Sequence, residues 1–262
     1  MKKFYKWIKP EGHNGMVYKE GLNTDIMPFN PSGNCEPGGI YFSRDSTFAF
    51  IRYGEDLYEV TPVGEVYENP CYPKKWKAHK VKLKFVGKRS DPKVIKRLIK
   101  EGAGIHADNE DVLMTAAHKG HYFVVRLLLK LGAHIHARDD YALRVAAEQG
   151  NAKVVKLLLK NGADVHSTQN CALRNAASVD TIKLLLDAGA DIHALYDQTL
   201  RSAVYKGSLE IVKLLLKRGA SANTACKGGA LGLAQRNGFS EIVSLLEKAM
   251  LKESGSPDST LE

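Results

Sequence analysis

An all-α repeat solenoid preceded by a small α+β N-terminal domain is the fold predicted for this 262-residue chain. Three observations predict it. Gly-Ala pairs begin at Gly102, Gly132, Gly162, Gly189 and Gly219, at separations of 30, 30, 27 and 30. A second marker runs in phase, Leu113, Leu143, Leu173, Leu200 and Leu231, at separations of 30, 30, 27 and 31. Self-similarity at a fixed period of this size is the signature of stacked repeats. Residues 1–86 carry neither marker and alternate short apolar runs with turns instead.

Those runs are FYKWI, GGIYF, DLYEV and VKLKF, which read as strands. PFNPSGNCEPGG is turn-rich, and STFAFIRYG reads as a helix with Ser46 as its cap. Together they make an α+β module over residues 1–86. The formal charge of +9 is concentrated just beyond: residues 74–100 hold twelve Lys/Arg and one acid, Asp91, a local +11 that leaves the rest of the chain at −2. HKVKLKF puts Lys80, Lys82 and Lys84 on one face of a strand and Val81, Leu83 and Phe85 on the other. DPKVIKRLIKEG places Lys93, Lys96, Arg97 and Lys100 along one side of an amphipathic helix. Two readings follow. On the first, lysines guard an exposed strand edge and clothe the wet side of a helix. Alternatively, residues 74–100 attach to nucleic acid; with ten Lys to two Arg, that contact is electrostatic and salt-sensitive.

Each repeat reads as a short helix, a turn and a longer helix, as in YALRVAAEQGNAKVVKLLLKNGADVHS. Leu143, Ala146 and Ala147 share a face, and the alanines let a neighbouring helix approach closely. Gly150 breaks the first helix. Val154, Val155, Leu157, Leu158 and Leu159 form too broad an apolar band for a helix covered on one side only, so the second helix is expected between two others. Gly162 supplies the left-handed residue that ends it. The third repeat lacks three residues, running from Ala176 and Ala177 through SVD into Thr181, and predicts a tighter turn there.

From Asp91 to Met250 these residues resemble the ankyrin repeat, with its pattern TPLHxAAxxGxxxVVxLLLxxGADVN. The resemblance implies an ankyrin-repeat solenoid over residues 87–250, a capping helix-pair remnant plus about five units, followed by a disordered tail at 251–262. TPLH is replaced by YALR, CALR and QTLR, and the loop Asn by His106, His136, His166 and His193. That variant is similar to ankyrin proteins of giant viruses of the mimivirus type, as are GLNTDIMPFNP and CEPGGIYFS in the N-terminal module. The in-register histidines are expected to bond loop backbone of the adjoining unit, not to ligate metal, because stacked helices stand about 8–10 Å apart. Arg144, Arg174 and Arg201 are expected either to bridge neighbouring loops or to grip acidic residues of a partner.

What the resemblance implies for function is a non-enzymatic scaffold that binds a protein, a host protein if the viral likeness carries over. By register the contacts are Asn109, Glu110, Arg138, Asp140, Tyr141, Gln169, Asn170, Tyr196 and Gln198 at loop tips, and Thr115, His118, Val145, Glu148, Gln149, Ser202 and Tyr205 on first helices. An enzyme is the competing class. GGIYFS, AFIRYG and LYEV are similar in order and spacing to the second half of the ADP-ribosyltransferase fold, which implies nicotinamide stacking on Tyr41 and a catalytic acid at Glu65, with Lys6 where that family has a ribose-binding His. No cofactor and no metal are expected for the scaffold. No apolar run approaches the ~18 residues of a membrane span, and MKKFYKWIKPEGHNG lacks a signal-peptide core. Cys35, Cys71, Cys171 and Cys226 form no CxxC pair, so free thiols and a cytoplasmic setting (host cytosol or virion) are expected.

Overall fold

The computed structural model describes residues 4–9, 16–25, 40–44, 54–69, 75–106, 110–223 and 229–254. Two units form: residues 1–116 with 121–134, and residues 117–120 with 135–262. Five strands open the first, β1 (Phe4–Ile8), β2 (Gly21–Thr24), β3 (Ile40–Arg44), β4 (Asp56–Asn69) and β5 (Lys75–Lys88). All pairings are antiparallel. β1 lies between β3 and β4, and β5 joins β3 and β2 along one edge and β4 along the other, so the sheet closes on itself. Inside lie Ile8, Ile40, Phe42, Val60, Trp76, Val81 and Leu83, with Phe4 packed edge-on to Phe42 at 5.0 Å. Burying each such side chain contributes about 1.5–3 kcal/mol.

The four sequence-predicted strands are present; β2 is a fifth. Lys80, Lys82 and Lys84 face water while Val81 and Leu83 are buried, but Phe85 is exposed at the rim against Tyr58. Lys77 and Arg89, by contrast, are buried, which removes both from the expected solvated row. Lys77 falls on the same side of the alternation as Val81 and Leu83, with its Nζ 5.4 Å from the Tyr41 ring centre and 5.6 Å from that of Tyr67. The bulge, where Val63 pairs Lys80, Val66 pairs Ala78 and Gly64 and Glu65 oppose His79 alone, shifts the phase of β4 and not of β5. Burial pulls the Arg89 guanidinium down to about 10, and its carbon stands 5.4 Å from the Trp7 ring centre. The expected helix at STFAFIRYG lies outside the described residues, apart from Gly54.

Helix α1 (Pro92–Lys100) follows β5. Asp91 caps it by accepting from the Lys93 N–H at 2.8 Å, and Pro92 occupies a first-turn position where no N–H is needed. Val94, Ile95 and Leu98 are buried. Glu101 beyond its end accepts from the Tyr5 hydroxyl and from Arg97, and Arg97 also pairs with Glu59 at 3.5 Å. Burial and the Glu101 bond push the Tyr5 phenol well above its ordinary range. Helices α2 (Asp111–His118) and α3 (Tyr122–Lys130) come next.

The second unit contains α4 (Ala137–Glu148), α5 (Ala152–Lys160), α6 (Ser167–Asn175), α7 (Val179–Asp187), α8 (Ala194–Tyr205), α9 (Leu209–Lys217), α10 (Ala230–Arg236) and α11 (Ser240–Glu253). Helices α4, α6, α8 and α10 pack in one file and α5, α7, α9 and α11 in another. Leu143, Leu173 and Leu200 line the first file, Leu158, Leu185, Leu215 and Leu246 the second, and Ala146 and Ala147 are fully buried. The missing residues of the third repeat come out of the first helix, not out of the turn. Three residues join α6 to α7, as three join α4 to α5, but α6 has 9 residues against 12 for α4 and α8. Extended Ala176 and a capping box of Ser178 and Thr181 replace the glycine turn. Helix α11 includes Leu251, Lys252 and Glu253, from the segment expected as tail, and Glu253 accepts from the Ala222 N–H at 2.8 Å. Cys171 is a free thiol. No described helix is long and apolar enough to cross a membrane.

Candidate binding surface

Each first helix from α4 to α8 opens on three consecutive left-handed residues, none of them glycine: Arg138–Asp139–Asp140, Thr168–Gln169–Asn170 and Leu195–Tyr196–Asp197, with φ between 51° and 59°. Side chains other than Gly, Asn and Asp lose about 1–2 kcal/mol per residue in that conformation, so tertiary bonds must hold it. The third residue of each turn is buried and accepts the backbone N–H of the next repeat: Asp140 from Asp164 at 2.9 Å, Asn170 from Asp191 at 2.9 Å, Asp197 from Ser221 at 3.0 Å. A histidine four residues earlier supports the acid, with His136 Nδ1 at 3.1 Å from Asp140 and His193 Nδ1 at 3.0 Å from Asp197. Because a carboxylate only accepts, the proton sits on Nδ1. The expectation that these rings bond the adjoining unit's backbone is thus corrected: they brace the acid of their own loop, and the acid crosses to the neighbour.

The arginines close the same turns. Arg144 donates to the Arg138 carbonyl and Arg201 to the Leu195 carbonyl, both at 2.9 Å. Arg174 donates to the Gln169 and Thr168 carbonyls and also reaches Gln198 of the next repeat at 2.8 Å. Arg174 therefore does bridge neighbouring loops, while the bond common to all three is to their own loop.

With the third residue held inside, the first two of each turn point outward: Arg138 and Asp139, Thr168 and Gln169, Leu195 and Tyr196 are exposed. Tyr196 is 71% exposed and Tyr205, at the end of α8, 70%. Tyr141 is partly covered by the Arg144 guanidinium, 5.0 Å from its ring centre. His118, Glu148 and Gln149 are exposed; Thr115, Gln198 and Ser202 are half-buried. Glu110, Asp140, Asn170 and Val145 are buried and leave the set of outward contacts. For the first three the reason is their position as latch or loop acid, which no glycine or proline announces in the sequence. Asn109 lies outside the described residues.

Out of register, His134 brings a second ring to the first loop: His106 and His134 stack at 4.3 Å between ring centres, and both turn Nδ1 towards Glu110. The ladder of in-register histidines did not predict this group. In the sheet, Tyr41 on β3 sits half-buried opposite Lys77, whose Nζ lies 5.4 Å from its ring centre; Lys6 donates to the Tyr41 carbonyl at 2.7 Å. Glu65 is exposed on the bulge of β4.

Helix pairs repeated at about 30 residues and joined by latched turns define a helical-repeat protein of the interaction class. The chain belongs to the ankyrin repeat family, whose model matches residues 83–169, 136–195 and 169–254. It is similar to ankyrin repeat proteins of Acanthamoeba polyphaga mimivirus, being 34% identical to one over 122 residues and 30% identical to another over 130. These matches cover 43% and 45% of this chain and 40% and 37% of the relatives, so the chain spans about two-fifths of the length of the relatives it matches. Ankyrin repeats are protein–protein interaction modules.

Proposed function

We propose that the chain is a non-enzymatic scaffold that holds a host protein on the outward residues of its latched turns and the neighbouring first-helix positions. The repeats continue in single file as a solenoid, and the site of action is the host cytosol or the virion. One observation carries this reading: a constant frame fixes each turn, while the displayed pair changes from Arg-Asp to Thr-Gln to Leu-Tyr. Variable side chains on a rigid repeated support are what recognition requires, and exposed tyrosines combine area with a hydrogen-bonding tip. Replacing Tyr141, Tyr196 and Tyr205 by Ala should leave the melting temperature nearly unchanged while abolishing retention of the host protein that the unaltered chain captures from infected-cell lysate. Retention by the triple variant refutes the placement. Transfer of label from NAD to protein, or its hydrolysis, would instead favour chemistry in the N-terminal module at Tyr41 and Glu65. Salt-sensitive retention on DNA would favour attachment through residues 74–100.

A further inference from the structure

We propose that His106, Glu110 and His134 form a binding site for a zinc-type divalent cation. The first joint between repeats differs from the later ones. At the later joints the acceptor is Asp140, Asn170 or Asp197, and it takes a backbone N–H from Asp164, Asp191 or Ser221. In the first loop the corresponding positions are Glu110, one methylene longer, and His134. The Glu110 carboxylate meets side chains: Oε1 contacts His106 Nδ1 and lies 3.4 Å from His134 Nδ1.

Its other oxygen, Oε2, is buried and has no hydrogen-bond partner among the described residues, although the side chain is only 1% exposed. A buried carboxylate with an unsatisfied oxygen is costly unless positive charge is supplied beside it. Two imidazolium rings stacked at 4.3 Å would repel each other while supplying it. One dication between two neutral rings has no such conflict.

Two imidazole nitrogens and a carboxylate oxygen suit zinc. The three donor groups lie within 4.8 Å of one another. Tetrahedral zinc with bonds of about 2.0–2.1 Å needs its ligand atoms about 3.3 Å apart, close to the His134 to Glu110 spacing. The His106 contact has to open, and a side chain 49% exposed has room to do so; His134 is 73% exposed, so solvent reaches the remaining position. Bound metal would brace the loop of residue 106 against that of residue 134, a structural role.

Zinc titration by calorimetry into the chelator-stripped full chain, with cobalt as a visible-absorption probe, tests the assignment. The expected result is one zinc per chain, tetrahedral cobalt bands, and a melting temperature raised by zinc. His134→Ser, the residue type found at 221, and Glu110→Gln should each weaken uptake at least about tenfold, the loss that even an outer partner of a metal ligand causes. His136→Ala, whose ring faces Asp140 and not Glu110, should leave zinc uptake unchanged. Absence of saturable uptake by the folded chain overturns the proposal, as does uptake that His134→Ser and Glu110→Gln leave intact. Should Glu110→Gln fail to fold, the exposed His134→Ser decides alone.

Discussion

Asp140 is where the turn, its histidine brace and the next repeat meet, so a series at that position separates the forces involved. Asp140→Ala removes the acceptor for the Asp164 N–H and puts a residue with no local polar compensation at φ 52°. A hydrogen bond to a charged group contributes about 1.5–3 kcal/mol. This one is partly buried, so the lower half, about 1.5–2 kcal/mol, applies, and the left-handed conformation adds about 1 kcal/mol for Ala. The expected loss is about 2.5–3 kcal/mol. Asp140→Gly loses the bond but not the conformation and should cost about 1.5–2 kcal/mol. Asp140→Asn keeps both, as Asn170 does one repeat later, and should cost about 1 kcal/mol or less. Urea unfolding followed by far-ultraviolet dichroism gives the differences. Amide exchange at Asp164 should quicken in the Ala and Gly variants and stay slow in the Asn variant. An Ala variant as stable as the parent, or an Asn variant as damaged as the Ala one, refutes the latch.

Two further outcomes concern the sheet unit, which holds both tryptophans of the chain, Trp7 and Trp76, so their fluorescence reads it. A Cβ at Gly54 would stand 2.4 Å from the Ile8 nitrogen, and since backbone cannot yield as a side chain tip does, Gly54→Ala should cost about 3 kcal/mol or more in fluorescence-monitored urea unfolding. Burial, aided by Asp25, pushes the Tyr18 phenol up to about 12 from an ordinary value of 10. Its raised value means the folded state holds the proton more tightly than the unfolded one. The resulting stability is complete below pH about 10 and is lost as pH rises through about 12. An alkaline titration of tryptophan fluorescence should show that decline, and Tyr18→Phe should make it shallower; an unchanged profile in the variant refutes the assignment.

The repeat was legible because packing dictates it: Leu143, Leu173 and Leu200 have to fill the same interior position, and Gly162 has to turn left. The left-handed triplets were not legible. Arg138, Thr168 and Leu195 carry no local preference for that conformation, and what holds it, such as Arg144 on a carbonyl six residues back, is tertiary. Strand β2, the polar sequence GLNT, exists through its backbone pairing with β5 rather than through any apolar alternation. Lys77 is a charged residue on the side of β5 that Val81 and Leu83 bury, so its charge and its place in the alternation point opposite ways, and the alternation holds. The His106, Glu110 and His134 group escaped because it depends on a single residue out of the histidine register, visible only once neighbouring loops are superposed in space.

The later joints ask for a side chain on one repeat and only a main-chain amide on the next. Any amino acid except proline supplies that N–H, as Asp164, Asp191 and Ser221 illustrate. Copies of such a repeat can be duplicated, deleted or reordered without matched changes in both neighbours, and the outward pair of each can drift independently of the coupling. Gene-level shuffling is cheap where couplings are read by the polypeptide's common backbone, and that freedom narrows where one specific side chain meets another, as in the loop of Glu110 and His134 and between Arg174 and Gln198.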